Sequence, residues 1–106
     1  MASGVLGQVS LAATTYTTVY TVPSQTLSYA NVNIANRNTT NVSVRVAITT
    51  GATPTTAQFI EYDVDIAPNG VLERTGLVLD IGKQVVVYSD TANVSVGVYG
   101  VEQLVS

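Results

Sequence analysis

A chain of 106 residues fits one domain, and a domain of that size buries roughly 65% of its unfolded surface, enough to fold without a metal or a disulfide. It contains neither cysteine nor histidine, which removes the commonest zinc ligands and the commonest general base. Its net charge of −3 includes only four basic residues, Arg37, Arg45, Arg74 and Lys83, too few and too scattered to displace counterions from phosphates, so no nucleic-acid partner is expected.

The start of the chain, Met1-Ala2-Ser3-Gly4-Val5-Leu6-Gly7, has neither the basic region nor the long apolar region of a secretory signal. No apolar run approaches the roughly 20 residues that span a bilayer. The expectation is a soluble product of the cytoplasm with no membrane partner. Residues 1–13 are small, apolar and uncharged, and read either as a first strand or as an extended arm that pairs with a neighbouring subunit.

From residue 14 onward the chain reads as strands separated by turns. Residues 15–22 end at Val22-Pro23-Ser24, and residues 30–35 lead into an Asn/Thr-rich turn at 36–41. In Val42-Ser43-Val44-Arg45-Val46-Ala47-Ile48 the even positions are apolar and Arg45 points the other way. Ile60-Glu61-Tyr62-Asp63-Val64-Asp65-Ile66 alternates more cleanly, which predicts Tyr62 in the core and three carboxylates on the opposite face. Pro68-Asn69-Gly70 is the strongest turn signal, because Asn and Gly tolerate positive φ. Val85-Val86-Val87 is apolar on both faces and predicts a central strand covered on each side. Val94-Ser95-Val96-Gly97-Val98 resembles the earlier Asn41-Val42-Ser43-Val44-Arg45-Val46 in form, but the flanks differ and no duplicated domain follows.

Turns every 8–12 residues or so, with no helical segment, predict an all-β domain over residues 14–106: an antiparallel β-sandwich of about seven or eight strands, immunoglobulin-like or jelly-roll-like in its Greek-key wiring. One conflict stands out. If Val98 faces inward, so does Glu102, while Val101 faces out; a bulge at Gly100 repairs the phase. The alternative is that the segment after Val98 packs on a neighbouring chain.

Catalytic chemistry is hard to build from this inventory. Serine and threonine hydroxyls lack a histidine or cysteine partner, Lys83 has no Ser-x-x-Lys arrangement around it, and the eight glycines form no phosphate-cradling loop. No enzyme activity and no cofactor are expected. Glu61, Asp63 and Asp65 fall about 7 Å apart along one strand face, too wide for one cation without loop ligands such as Asn69 or Asp90, so a solvated face paired with Arg45 is the expectation and a metal site is not. Among the tyrosines, Tyr16 and Tyr20 read as core or interface, and Tyr29, Tyr88 and Tyr99 as exposed. They offer a sugar-stacking platform, against which the absence of tryptophan weighs. The Asn-x-Ser/Thr triplets at Asn38, Asn41 and Asn93 read as turn asparagines rather than glycosylation sites.

Assembly into a larger structure fits better. Only 10% of residues are charged, against about 25% in a typical soluble domain, so the strand edges lack the lysines that normally keep sheets apart. The expected interface residues are Val5, Leu6, Val9 and Leu11 near the start, Arg37, and Val101, Leu104 and Val105 near the end.

A resemblance bears on what the assembly is. Gly4-Val5-Leu6-Gly7-Gln8, Thr18-Val19-Tyr20-Thr21-Val22-Pro23-Ser24 and Val32-Asn33-Ile34-Ala35-Asn36-Arg37 resemble segments of small virion structural proteins of tailed bacteriophages, particularly of the cyanophage type. So do Val42-Ser43-Val44-Arg45-Val46-Ala47, Ile60-Glu61-Tyr62-Asp63, Asn69-Gly70-Val71-Leu72-Glu73-Arg74-Thr75-Gly76 and Val85-Val86-Val87-Tyr88-Ser89-Asp90. None of these strings is a catalytic signature. The resemblance implies a protein of the virion, synthesised in the host cytoplasm, with capsid decoration (cement) as the first expected role. Its partners would be copies of itself, a trimer first, and the major capsid protein or other virion proteins. The second expected role is a neck, tail or head-fibre module recognising a host-surface glycan or protein through loops at 36–41, 51–56 and 90–93.

Overall fold

The computed structural model describes residues 3–105. Eight strands are formed: β1 (Ser3–Leu11), β2 (Thr17–Thr21), β3 (Thr26–Asn36), β4 (Val42–Thr49), β5 (Phe59–Ile66), β6 (Val71–Leu79), β7 (Gln84–Ser89) and β8 (Val94–Leu104). A single 3₁₀ turn, Thr56–Gln58, precedes β5. β-Branched side chains dominate the strands because their stiff χ1 angles suit a pleated surface better than a helix. No helix among the described residues is long and apolar enough to cross a membrane.

Sheet A has the order β1-β8-β3-β6 and sheet B the order β2-β7-β4-β5. Every pairing is antiparallel, and the partners are nested: β1 with β8, β2 with β7, β3 with β6, β4 with β5. That wiring is a jelly roll, with two four-stranded sheets face to face. An immunoglobulin-like sandwich would place consecutive hairpin strands side by side, and here only β4 and β5 do so. From the sequence, residues 1–13 read either as a first strand or as an arm. Ser3–Leu11 pairs within its own chain, from Ser3 opposite Val101 to Leu11 opposite Val94, so the described part of that segment is the first strand of the sandwich.

Between the sheets lie Val32 and Ile34 of β3, Val42, Val44 and Val46 of β4, Val85 and Val87 of β7, and Val94, Val96 and Val98 of β8, all essentially without solvent contact. Fully burying each such side chain is worth roughly 1.5–3 kcal/mol, which offsets the cost of ordering the strands. Val86 is buried as well, although it points out of the sandwich, as a strand apolar on both faces requires.

The expected bulge at Gly100 is absent. The register between β3 and β8 runs unbroken from Thr26–Leu104 to Asn36–Val94. Gly100 has a different purpose: a Cβ there would lie 1.9 Å from the Tyr29 carbonyl oxygen, so the missing side chain is what lets β8 approach β3. Glu102 consequently stays on the inner phase and accepts a 2.5 Å hydrogen bond from the Tyr20 hydroxyl. Ser28 Oγ is buried near this pair without conventional hydrogen-bond geometry, close enough to Tyr20 to favour its phenolate slightly. Burial first, and the bond to Glu102 second, push the Tyr20 phenol up to about 12.

β5 departs further from its simple alternation. Val44 pairs with Val64, but Val46 pairs with Glu61 and Ala47 with Phe59, so the strand carries extra residues at two places. At the first, Asp63 has φ of 53°, a left-handed conformation that Asp tolerates better than most residues. The bulge reverses the phase beyond it. Tyr62, expected in the core, is 56% exposed on the outside of sheet B. Glu61 leaves the carboxylate row and reaches Arg74 of β6 at 2.6 Å, joining the edges of the two sheets.

Two outcomes follow. Gly100→Ala should lower the urea midpoint by an amount equivalent to about 1–3 kcal/mol without changing the slope, whereas Gly97→Ala, whose Cβ would meet nothing within 4 Å, should leave it unchanged. For Tyr20 the folded-state pKa lies above the unfolded value of 10, so the unfolded chain releases this proton first and stability must fall as pH rises through the interval from 10 to about 12. Alkaline unfolding followed by circular dichroism should show that fall, and Tyr20→Phe should flatten it.

Candidate interaction surfaces

The jelly roll gives the molecule two unlike ends. At one end the loops 37–41, 67–70 and 90–93 are tied together by polar groups. Asn36, buried, donates from Nδ2 to the carbonyls of Thr40 (2.9 Å), Ile66 (3.1 Å) and Ala67 (3.1 Å), and its Oδ1 accepts from the backbone N–H of Asn38 (2.9 Å). Asn38 Nδ2 continues to the Ala92 carbonyl at 2.9 Å. The loop at 51–56 lies at the opposite end, so the three loops expected to act together do not form one surface: 36–41 and 90–93 adjoin, and 51–56 is remote from them.

That opposite end is apolar. Six of the nine large hydrophobic side chains exposed among the described residues gather there: Tyr29, Val78, Ile81, Val101, Leu104 and Val105. The register explains the cluster. On the outer face of sheet A, Tyr29 stands between Val78 on β6 and Val101 on β8, forming one cross-strand row. Ile81 lies in the following turn, where Gly82 N–H bonds the Val22 carbonyl, and Val105 N–H bonds the Gln25 carbonyl at the same end. Val101 points outward because β8 is not bulged.

The residues expected at an interface therefore divide. Val101, Leu104 and Val105 belong to this apolar end, and Val5 is exposed two residues along β1 from Val101's partner Ser3. Leu11 is core, at 3% exposure, because it pairs with the inward-facing Val94, and this corrects its expected place at an interface. Leu6 and Val9 are half-buried and pack against the same core. Arg37 is at the polar end, where its guanidinium donates to Ser10 Oγ at 2.7 Å. The sequence marks Tyr29 as exposed but not as part of this cluster, and it gives no sign of Val78 or Ile81, because the row is made by cross-strand register rather than by local pattern.

The middle of sheet A's outer face carries a groove of about 710 Å³. Gly97 forms its floor, Val5 and Tyr99 one side, Ser10 and Ser95 the other, with the amides of Gln8 and Asn33 and the carboxylate of Glu73 along it. Tyr99 on β8 donates a 2.6 Å hydrogen bond to Glu73 on β6, with β3 lying between them. Strands two apart are separated by about 9.6 Å, so both side chains must lean across β3 to meet, which lays the Tyr99 side chain over the sheet. The bond to Glu73, with burial second, raises the Tyr99 pKa.

Sheet B is covered on its outer face by aromatic rings. Tyr16 and Tyr88 have centroids 4.9 Å apart, Phe59 and Tyr62 meet edge to face at 4.9 Å, and Tyr16 lies 6.2 Å from Phe59. Arg45 sits 4.3 Å from the Tyr62 centroid and 4.8 Å from that of Tyr88. It also bonds Asp63 at 2.6 Å and the Tyr16 hydroxyl at 2.8 Å, and these bonds, Asp63 first, raise its pKa. The cross-strand pair expected from the sequence is thus present, embedded in stacked rings. Beneath this layer Ala47 and Val86 are sealed from water. Among the described residues no three Asp or Glu side chains converge as metal ligands.

Arg45→Lys keeps the charge but loses the planar fork that serves Asp63 and two rings at once. It should lower the denaturation midpoint and weaken the near-ultraviolet tyrosine circular dichroism, more than Lys83→Ala, which removes only the exposed 3.1 Å pair with Asp80. Compared with models of protein families, with curated proteins and with solved structures, the chain finds no match.

Proposed function

We propose that this chain is a structural subunit of a bacteriophage virion, a head decoration protein that holds by seating its apolar end on the capsid and on copies of itself. The observation carrying this reading is the concentration of six exposed hydrophobic side chains at one end of an elongated molecule whose principal extents are 46 × 27 × 19 Å. Scattered exposed apolar residues are ordinary on any protein, but their concentration at one end, with Val78, Tyr29 and Val101 in one cross-strand row, marks a contact surface.

The edges support the same reading. β5 and β6 carry charges and register irregularities, and β2 is only five residues long. β1 has nine residues, no charge and no proline, and past its irregularity at Val5–Gly7 it runs straight from Gln8 to Leu11. An edge of that kind invites pairing with another chain. The strand order adds analogy only, since jelly rolls occur in capsids, lectins and other proteins alike. The sequence resemblance to small phage virion proteins supplies the particle.

Light scattering of the purified protein should give a stable oligomer, a trimer by preference, and that oligomer should add to undecorated phage heads. Tyr29→Glu combined with Val78→Glu should dissociate it to monomers without altering the far-ultraviolet circular dichroism. A wild-type protein that remains monomeric and ignores the heads would sink the proposal.

A further inference from the structure

We infer that the groove on the outer face of sheet A is a binding site for a neutral sugar chain, with the Tyr99 ring as its stacking platform. This goes beyond the role in assembly, and it uses the outward side chains of sheet A rather than the apolar end or the backbone edge of β1: the groove's floor at Gly97 lies four residues along β8 from Val101, toward the polar end.

A pyranose ring has an apolar face of axial C–H groups and a rim of hydroxyls. A site for it needs a flat apolar surface beside side chains that both donate and accept hydrogen bonds, with room for the ring itself. All three are present. The platform is Tyr99, whose side chain is held over the sheet by its bond to Glu73 rather than standing free. Holding the ring in advance lowers the entropic cost of binding. The polar groups are Gln8, Asn33 and Ser95, which line the groove and make no side-chain hydrogen bond among the described residues. Each amide presents donors and an acceptor to solvent, the pairing that a sugar hydroxyl matches. Three other amides are used internally: Asn31 accepts from Gly76 N–H at 3.1 Å, and Asn36 and Asn38 hold the loops. The room comes from Gly97, where a Cβ would meet nothing within 4 Å. No packing contact demands glycine there, so the absence of a side chain leaves space over the sheet.

The charge of the site selects within sugars. Among the described residues lining the groove Glu73 alone carries a full charge at neutral pH, Arg37 reaching its rim only through Ser10 Oγ, and a carboxylate repels sialic acids, uronic acids and phosphorylated sugars. One of its oxygens is engaged by Tyr99, and the other remains able to accept from a hydroxyl. The ligand class is therefore an uncharged hexose polymer.

The test is a nitrogen-15 correlation NMR titration of the intact protein with neutral glucan, mannan and galactan oligosaccharides, and with a sialylated oligosaccharide as the charged counterpart. At least one neutral oligosaccharide should shift the resonances of Gly97, Asn33 and Tyr99 at roughly millimolar concentration, and the sialylated one should not. Tyr99→Ala should weaken binding roughly tenfold or more. Gly97→Val, which fills the groove with a residue suited to a strand, should abolish binding while leaving stability and oligomeric state intact. No shift with any neutral oligosaccharide, shifts confined to the loops at 36–41 or 90–93, or undiminished binding by Gly97→Val would each overturn the inference. None of these results bears on whether the protein adds to phage heads, so the two proposals fail separately.

Discussion

Strands β3 and β8 approach so closely at Gly100 that even a methyl group there would overlap the Tyr29 carbonyl, and the surface chemistry of the molecule follows from that contact. Because the backbone can close without a bulge, β8 keeps one phase over eleven residues. Tyr99 and Val101 are thereby both turned outward, one to lie across the sheet and the other to join Tyr29 and Val78. Glu102 is turned inward, where a carboxylate is tolerable only with a hydrogen-bond donor, and Tyr20 supplies one. A bulge at this point would reverse Val101 and Glu102 together, removing both the apolar row and the Tyr20 contact.

The two sheets meet the shortage of charge in different ways. Sheet B has an apolar outer surface at Ala47 and Val86, and rings of Tyr16, Phe59, Tyr62 and Tyr88 cover it, with Arg45 as their polar centre. Sheet A keeps an outer face of small and amide side chains in rows, from Ser10, Ser95 and Ala35 to Gln8, Gly97 and Asn33. The first arrangement closes a surface and the second leaves one open. Amphipathic rings suit the closing task because they shed water over a large area while each hydroxyl can still be satisfied.

The sequence carried the fold class well, for physical reasons. Alternation in β4 and in the first half of β8 is set by burial on one face, and the valine run of β7 announced two covered faces, which it has. Where the reading failed, the cause was backbone phase. Nothing in Glu61-Tyr62-Asp63 reveals that Asp63 takes a positive φ, yet that one angle moves Tyr62 from the core to the outer surface. A similar irregularity between Thr18 and Tyr20 separates Tyr20, which is buried inside, from Tyr16, which joins the outer rings. Gly100 stands out in the sequence but its purpose does not, because a glycine signals close approach and bulge alike. The apolar end was only half legible: Val101, Leu104 and Val105 could be suspected from composition, but Tyr29 and Val78 join Val101 only through pairings between distant strands.

The nested pairing also orders events during synthesis. β1 pairs with β8, so the first of the described strands to leave the ribosome must wait for the last before its hydrogen bonds can close. During that wait β3 can find β6 and β4 can find β5, while an uncharged ribbon remains unpaired with both of its edges open. Where many copies are synthesised at once, that interval is when neighbouring chains are most exposed to exchanging their first strands.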